Sequence, residues 1–479
     1  MEKIDIKKII DKVILFCSNN PEVYSNIIKD FYTKGIDKSS PYLESLGIPR
    51  LKEKELQNRF KENKKKIIDY IKNQIKPSLD IYNILSCIYG SFMGDGIGAF
   101  CEFHKSNPKN YKKIFRDKPV FGQLSGQITD DSEMAMSFGY AMMDNPEKEA
   151  ISPDYLYFYY GAWAKSKPID IGKTTHKSFT KFDFNYFHPK KGNFKNVKNE
   201  IYTNNIKSLS NGFLMRKSTF IAWIYYRFFP LINAAFNNID DNTFLLELYK
   251  KIKNLSEIDN QCTHPNPENN AVSAFYCIMA LGAIRELRAN NIIDKILYLC
   301  KDEYFKKKGE EDLIVANFII SYIEKFKSLE FKFDSFSDTK SNDCIIKHMG
   351  WYGHSLKLTL YYLINFEFIE EGKDNNRFQT IMEQICNLGG DTDTNCCIVG
   401  SVIGPLVGLN KFGKYFDKII DVIPKNRYLF SICLMLPYVL YLKNSNRNNE
   451  LIKDEHYFLR TILTMLYDDI EIDYYNPRI

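Results

Sequence analysis

The sequence offers no C-x-x-C pair among its eleven cysteines, which are scattered singly except for the adjacent Cys396 and Cys397. That excludes the usual ligand spacing of structural zinc sites and dithiol redox motifs, and it fits a reduced, intracellular compartment. No apolar run reaches the roughly 20 residues that cross a bilayer. The longest, Ala271 to Ile284, Asn395 to Leu409 and Tyr428 to Leu442, fall short, two of them contain proline, and all three read as buried core helices. The opening Met-Glu-Lys-Ile-Asp lacks the basic start and apolar stretch of a signal peptide, so a cytoplasmic location without membrane contact is expected. A net charge of +6 over 479 residues is too dilute to argue for a nucleic acid partner. Alternating polar and apolar runs are scarce, and no repeat of solenoid length is present.

What remains is a chain with 44% hydrophobic and 15% aromatic residues, enough to bury a sizeable core. From about 81 to 445, apolar and small residues recur at three- and four-residue spacing, as in Ser132 to Met143, Ala271 to Leu287 and Thr394 to Leu409. The expected fold is therefore all-α. Residues 1–80 read as a helical, Lys-rich extension. Within it, Leu51 to Lys76 carries nine basic against four acidic side chains, best read as a solvated helix face. Residues 165–207 break the helical pattern and read as an insertion beside the core, with His176 and His188 expected at the surface. Residues 446–479 form a C-terminal segment whose end, from Tyr467 to Ile479, is an expected loose tail.

Two acidic clusters far apart in sequence carry the sharpest chemical signal. They are Thr129-Asp130-Asp131-Ser132 and Gly389-Gly390-Asp391-Thr392-Asp393-Thr394, and each opens an apolar helical stretch. Singly, each has an ordinary explanation, because Asp, Ser and Thr cap helix starts and acids favour the positive end of the dipole. Together they form an all-oxygen set that suits Mg²⁺, Mn²⁺ or Ca²⁺. Four carboxylates brought together would repel strongly without a divalent ion between them.

A third block runs from Gly90 to Glu102 and includes Gly94-Asp95-Gly96-Ile97-Gly98. It lacks the Lys-Ser or Lys-Thr of a Walker loop. Its glycines serve close helix packing or let backbone approach a ligand, with Glu102 projecting toward that ligand. Ser210-Asn211-Gly212, which runs on to Met215-Arg216, and Thr263-His264 are each an ordinary turn or a structural histidine when taken alone. Trp351 to Ser355 is a further stretch that could border a pocket.

In this order the blocks resemble the ADP-ribosylglycohydrolase family, which includes the dinitrogenase-reductase-activating glycohydrolases. The likeness spans about residues 84 to 410. It implies a compact all-α domain with two Mg²⁺ ions, Mn²⁺ in some members, acting on an ADP-ribosylated protein or another ADP-ribose conjugate. On that resemblance Thr129, Asp130 and Asp131 would hold one ion, Asp391 and Thr394 the other, with Asp393 between them. Glu102 would lie beside the scissile bond, with Asp130 and Asp391 as catalytic partners. Gly94, Asp95, Gly96, Gly98, Ser210, Asn211, Gly212 and His264 would line the ADP-ribose site.

The chemistry is coherent, since cleavage at the anomeric carbon passes through an oxocarbenium-like state that carboxylates stabilise. Ser132 departs from the commoner threonine but keeps a hydroxyl. Lys207-Ser208-Leu209 stands where some relatives carry glycine and an aromatic residue that packs on the ligand. The competing readings are an inactive ADP-ribose-binding or structural protein on the same scaffold, and a two-metal phosphoesterase.

Overall fold

The computed structural model describes residues 6–34, 41–48, 79–103, 126–145, 150–237, 243–307, 310–328, 330–370, 376–412, 435–445 and 456–467, with short stretches between 54 and 70. Most of the basic segment from Leu51 to Lys76, the first part of the apolar run that begins at Tyr428 and the residues after Tyr467 lie outside the described residues.

The N-terminal helices are α1 (Ile6–Asn19) and α2 (Pro21–Lys34). Then come α3 (Leu79–Gly98), α4 (Asp130–Asp144), α5 (Pro153–Lys165), α6 (Lys195–Asn205), α7 (Lys217–Arg227) and α8 (Phe229–Asn237). They are followed by α9 (Thr243–Asn260), α10 (Pro267–Ile284), α11 (Ala289–Cys300) and α12 (Glu310–Lys327). The last are α13 (Tyr352–Ile364), α14 (Arg377–Leu388), α15 (Thr392–Val407), α16 (Met435–Ser445) and α17 (Tyr457–Tyr467). The fold is all-α, and among the described residues the only β-type pairing is a single bridge between Ser210 and Trp351. No described helix is long and apolar enough to cross a membrane.

The centre of the domain is the pair α3 and α15, packed closely enough that no side chain fits between them. A Cβ built on Gly90 would lie 2.3 Å from the Gly400 carbonyl oxygen, on Gly94 2.1 Å from that of Cys396, and on Gly98 2.3 Å from that of Thr392. On the facing helix, a Cβ on Gly404 would lie 2.2 Å from the Ser86 carbonyl oxygen. Positions four apart share one face of a helix, so this spacing forms one antiparallel seam. Its geometry sets the end of α3 against the start of α15, where the Thr392 hydroxyl donates to the Gly98 carbonyl at 2.7 Å.

The N-terminal helices join the same core. Val13, Tyr24, Ile27, Ile28 and Phe31 are buried in the cluster that holds the central helices. Asp144, at the end of α4, accepts from the Tyr24 hydroxyl, from the Tyr159 hydroxyl at 2.6 Å and from Phe458 N at 2.8 Å. Each large apolar side chain buried in this way contributes about 1.5–3 kcal/mol.

The 165–207 region also folds onto the core. Phe179, Phe182, Phe187 and Phe194 surround Tyr157 of α5 at ring separations of 5.2 to 5.9 Å, and a Cβ on Gly161 would meet the Phe182 ring at 2.2 Å. His176 is exposed. His188 departs from its surface expectation. It is buried, with Nε2 2.7 Å from the Pro21 carbonyl oxygen, because the aromatic packing draws its loop against the start of α2.

Candidate active site

The α3–α15 seam places three acidic groups together. Glu102 follows the end of α3, and Asp391 and Asp393 begin α15. One carboxylate oxygen of each lies within 4.8 Å of the others. The loop leading into α15 turns on Gly389 and Gly390, whose φ values of 76° and 83° belong to the left-handed region that glycine occupies without strain. Phe103 N donates to the Gly390 carbonyl at 3.1 Å, which ties the turn bearing Glu102 to this loop.

The second acidic start is organised by Asp95. Its carboxylate accepts from Thr129 N at 3.0 Å, Thr129 Oγ1 at 2.8 Å, Ser132 N at 3.1 Å and Ser132 Oγ at 2.5 Å. These bonds satisfy donors that the first turn of α4 leaves open. They also fix the direction in which Asp130 and Asp131 project. The Thr129 hydroxyl lies 3.1 Å from Asp131 Oδ2, while Asp131 Oδ1 is buried without a hydrogen-bond donor among the described residues.

Asp95 therefore holds the start of α4 in place. Gly94 and Gly98 face the backbone of α15 and Gly96 is buried in α3. Of the two uses the sequence allows these glycines, close packing is the one seen at Gly94 and Gly98, where the space in front is filled by Cys396, Thr392 and Asp393.

The two acidic starts share one electrostatic environment. Burial, then Asp95, Asp130 and Asp391, push the Asp131 carboxyl well up, and burial, then Glu102, Asp131 and Asp391, do the same to Asp393. Asp130 is raised by burial, then by Asp170, Asp95 and Glu133. Glu102 rises to about 9 through burial and the charges of Asp391, Asp170 and Asp130. Asp95, buried but well supplied with donors, rises only to about 6. Asp391 is raised by burial against hydrogen bonds from Asn211, Asp393 and Thr394.

Asp170 is the member that sequence reasoning missed. It is half-buried, raised by burial and by Asp391 against a hydrogen bond from Ile171 N, and acts on Glu102 and Asp130. It arrives from the 165–207 region, as does Gly172 N, which lies 3.4 Å from Asp130 Oδ2. A lone aspartate in a stretch without periodicity carries no pairing signal. Its position near the end of α5 is visible only after folding.

Ser210, Asn211 and Gly212 flank this cluster. Asn211 N donates to the Gly350 carbonyl at 2.8 Å, and its side-chain amide donates to Asp391 Oδ2 at 2.7 Å. His264 is buried with Nε2 2.8 Å from Ser210 Oγ, and a Cβ on Gly212 would meet the His264 ring at 2.9 Å. His264 titrates near 3, lowered by burial and then by the Arg216 charge, so the ring is neutral. Asn211 thus touches the acidic cluster, while Ser210, Gly212 and His264 form a wall beside it. Trp351 pairs with Ser210, and its ring packs 5.8 Å from that of Phe318.

Comparison with known proteins agrees with this arrangement of blocks. A family model described as ADP-ribosylglycohydrolase matches residues 78–416. A protein of Acanthamoeba polyphaga mimivirus named as an ADP-ribosyl glycohydrolase is 26% identical over 362 residues, 72% of this chain and 92% of its own length. The ADP-ribosyl-dinitrogen reductase glycohydrolase of Rhodospirillum rubrum is 29% identical over 102 residues, which cover 20% of this chain and 34% of that protein. A solved structure titled as an ADP-ribosylglycohydrolase-related protein complex aligns with a TM-score of 0.48 at 16% identity, over 77% of this chain and 99% of its own. With the family match extending over most of the chain and through both acidic helix starts, the protein belongs to the ADP-ribosylglycohydrolase family.

Proposed function

We propose that this family member hydrolyses the glycosidic bond joining ADP-ribose to a protein side chain or a related conjugate, at a centre of two Mg²⁺ ions, with Mn²⁺ as a substitute. The observation that carries the reading is the carboxylate cluster of buried Glu102, Asp130, Asp131 and Asp393 with half-buried Asp391, in which burial raises every member and neighbouring charge raises Glu102, Asp130, Asp131 and Asp393 further. Buried carboxylates of this density are costly as anions. A hard divalent cation fits them: every donor is oxygen, and Asp131 Oδ1 has no hydrogen-bond partner among the described residues. Thr129, Asp130 and Asp131 would hold one ion and Asp391 and Thr394 the other, with Asp393 between them.

When bound, such cations orient ribose hydroxyls and acidify an attacking water. The chain's own residues supply the rest. Glu102, whose proton affinity is raised by burial and by the neighbouring Asp391, Asp170 and Asp130, gives a proton to the leaving group as the bond at the anomeric carbon breaks. As a carboxylate it then stabilises the oxocarbenium-like centre. Asp130 and Asp391 orient the water on the other side, and one of these carboxylates takes the proton it loses on attack, Asp391 being held in place by Asn211. Ser210, Gly212 and His264 receive the ADP-ribose moiety.

The test is incubation of the purified protein with arginine-linked, serine-linked and O-acetyl ADP-ribose, with and without Mg²⁺. Metal-dependent release of intact ADP-ribose from one of them is expected, lost in Asp391→Ala with the fold retained. An inactive ADP-ribose-binding protein would bind in calorimetry and release nothing, and a phosphoesterase would yield AMP.

A further inference from the structure

Behind the wall formed by His264 and Ser210 lies a group of buried charges that the proposed chemistry does not use. Arg216 and Lys217 are fully buried and share one carboxylate, with Arg216 Nε at 3.2 Å and Lys217 Nζ at 2.6 Å from Asp259 Oδ2. Tyr160 donates to the other oxygen at 2.7 Å, and Lys217 donates further to Asn260 Oδ1 at 3.0 Å. Against the cost of its burial, the two cations hold Asp259 down at about 2. Two cations on one anion leave a net positive charge in the interior, where charge acts over a longer range than in water.

A string of hydrogen bonds runs from this charge to the cleft. Arg216 Nη1 donates to Thr263 Oγ1 at 2.8 Å, and Thr263 Oγ1 is 2.8 Å from His264 Nδ1. His264 Nε2 is 2.8 Å from Ser210 Oγ, which is 3.1 Å from Ser208 Oγ, itself 3.0 Å from Thr174 Oγ1.

One assignment gives every hydrogen from Arg216 to Ser210 an acceptor. A guanidinium donates and never accepts, so Thr263 receives at its oxygen and passes its own hydroxyl hydrogen to His264 Nδ1. Were Nδ1 protonated instead, the Thr263 hydroxyl hydrogen would face no acceptor in a fully buried position, which is costly. The neutral ring therefore carries its hydrogen on Nε2 and donates it to Ser210. With its oxygen engaged, Ser210 has its own hydrogen to give, to Ser208 or to a ligand oxygen that competes for it.

We infer that Arg216 and Thr263 are positioning residues which, through the tautomer of His264, turn Ser210 into a hydrogen-bond donor for an anionic ligand oxygen. On the ADP-ribose reading, on which the ligand's identity rests, that oxygen belongs to the diphosphate. The buried positive charge behind the wall favours the same anion, and the neutral histidine transmits direction without competing for protons with the acidic cluster.

Two measurements on the full chain test this. Nitrogen NMR of ¹⁵N-histidine-labelled protein reads the tautomer of His264 directly, and an unprotonated Nδ1 with a protonated Nε2 is expected across the range in which an ordinary histidine titrates, about pH 5 to 8. A protonated Nδ1, or a charged ring, overturns the inference without need of any variant. Calorimetry with ADP-ribose as probe supplies the second arm. Thr263→Val removes the hydroxyl at nearly constant volume and should weaken binding about tenfold while mixing the two tautomers, and Thr263→Ser should restore both affinity and tautomer. Native affinity in Thr263→Val overturns the inference and leaves the functional reading standing. A folded native protein that does not bind ADP-ribose at all overturns both.

Discussion

The side-chain amide of Asn211 donates to Asp391 Oδ2 across 2.7 Å, while the Asn211 backbone N–H donates to the Gly350 carbonyl at 2.8 Å. One residue is thus fixed at its backbone and points its amide at an acidic group that begins α15. A carboxylate held by such a donor keeps one oxygen occupied and presents the other in a defined direction. Asn211→Ala should lower turnover and raise the Mg²⁺ concentration needed for half-maximal rate, each by about 10- to 100-fold, with the melting temperature close to native. Turnover and metal titration in the same buffer would check this. An unchanged metal requirement would show that Asn211 serves the substrate alone.

The α3–α15 seam makes a contrasting pair of glycine predictions. A Cβ on Gly94 would lie 2.1 Å from a backbone oxygen of Cys396, whereas nothing lies within 4 Å of one on Gly172. Gly94→Ala must push the helices apart. It should cost about 1–3 kcal/mol or more in urea unfolding, and it should also reduce activity, because the seam sets Glu102 beside Asp393. Gly172→Ala leaves its N–H toward Asp130 in place and should change stability by less than about 0.5 kcal/mol.

That seam marks the boundary of what the sequence reveals. Helical periodicity and the two acidic starts were legible because each is a local pattern, and the Thr129 to Ser132 and Gly389 to Thr394 blocks marked where the acidic groups gather. The glycines from Gly90 to Gly98 were equally visible, yet ligand approach and helix packing require the same residue, and only the partner decides. Here the partner is Gly400 and Cys396, some 300 positions away. Asp170, and the partners of Arg216 although its block was legible, were hidden for a related reason. Their roles arise from neighbours such as Glu102 and Thr263 that no spacing rule connects to them.

The acidity of the cluster gives a pH prediction with a definite sign. Burial and neighbouring charge raise Glu102 from an ordinary 4.5 to about 9, and Asp130, Asp131 and Asp393 move in the same direction. A raised carboxyl binds its proton more tightly in the folded state. Its stabilising effect is full below the unfolded pKa and is lost as pH climbs through the folded value. Metal-free protein should therefore melt at progressively lower temperature as pH rises from about 5 to 9. Added Mg²⁺, competing with those protons, should raise the melting temperature more at about pH 8 than at about pH 5. Equal stabilisation by Mg²⁺ at both would count against a metal held by these carboxylates.

Asp170 offers a way to separate charge from contact. After burial, its charge is second only to that of Asp391 in raising Glu102, yet it comes from the 165–207 region and is itself half-buried. Asp170→Asn keeps the shape and removes the charge, so Glu102 should ionise at lower pH. If Glu102 is the proton donor, the alkaline limb of the pH–rate profile then moves down, on the order of one pH unit. Asp170→Ala should move it as far, since the effect acts through space and needs no hydrogen bond. A limb that stays put in both variants while kcat falls would mean that Asp170 acts on the substrate and not through Glu102. Steady-state rates across pH for the native protein and the two variants distinguish these outcomes, because only an electrostatic role predicts equal displacement by the neutral isostere and by the truncated side chain.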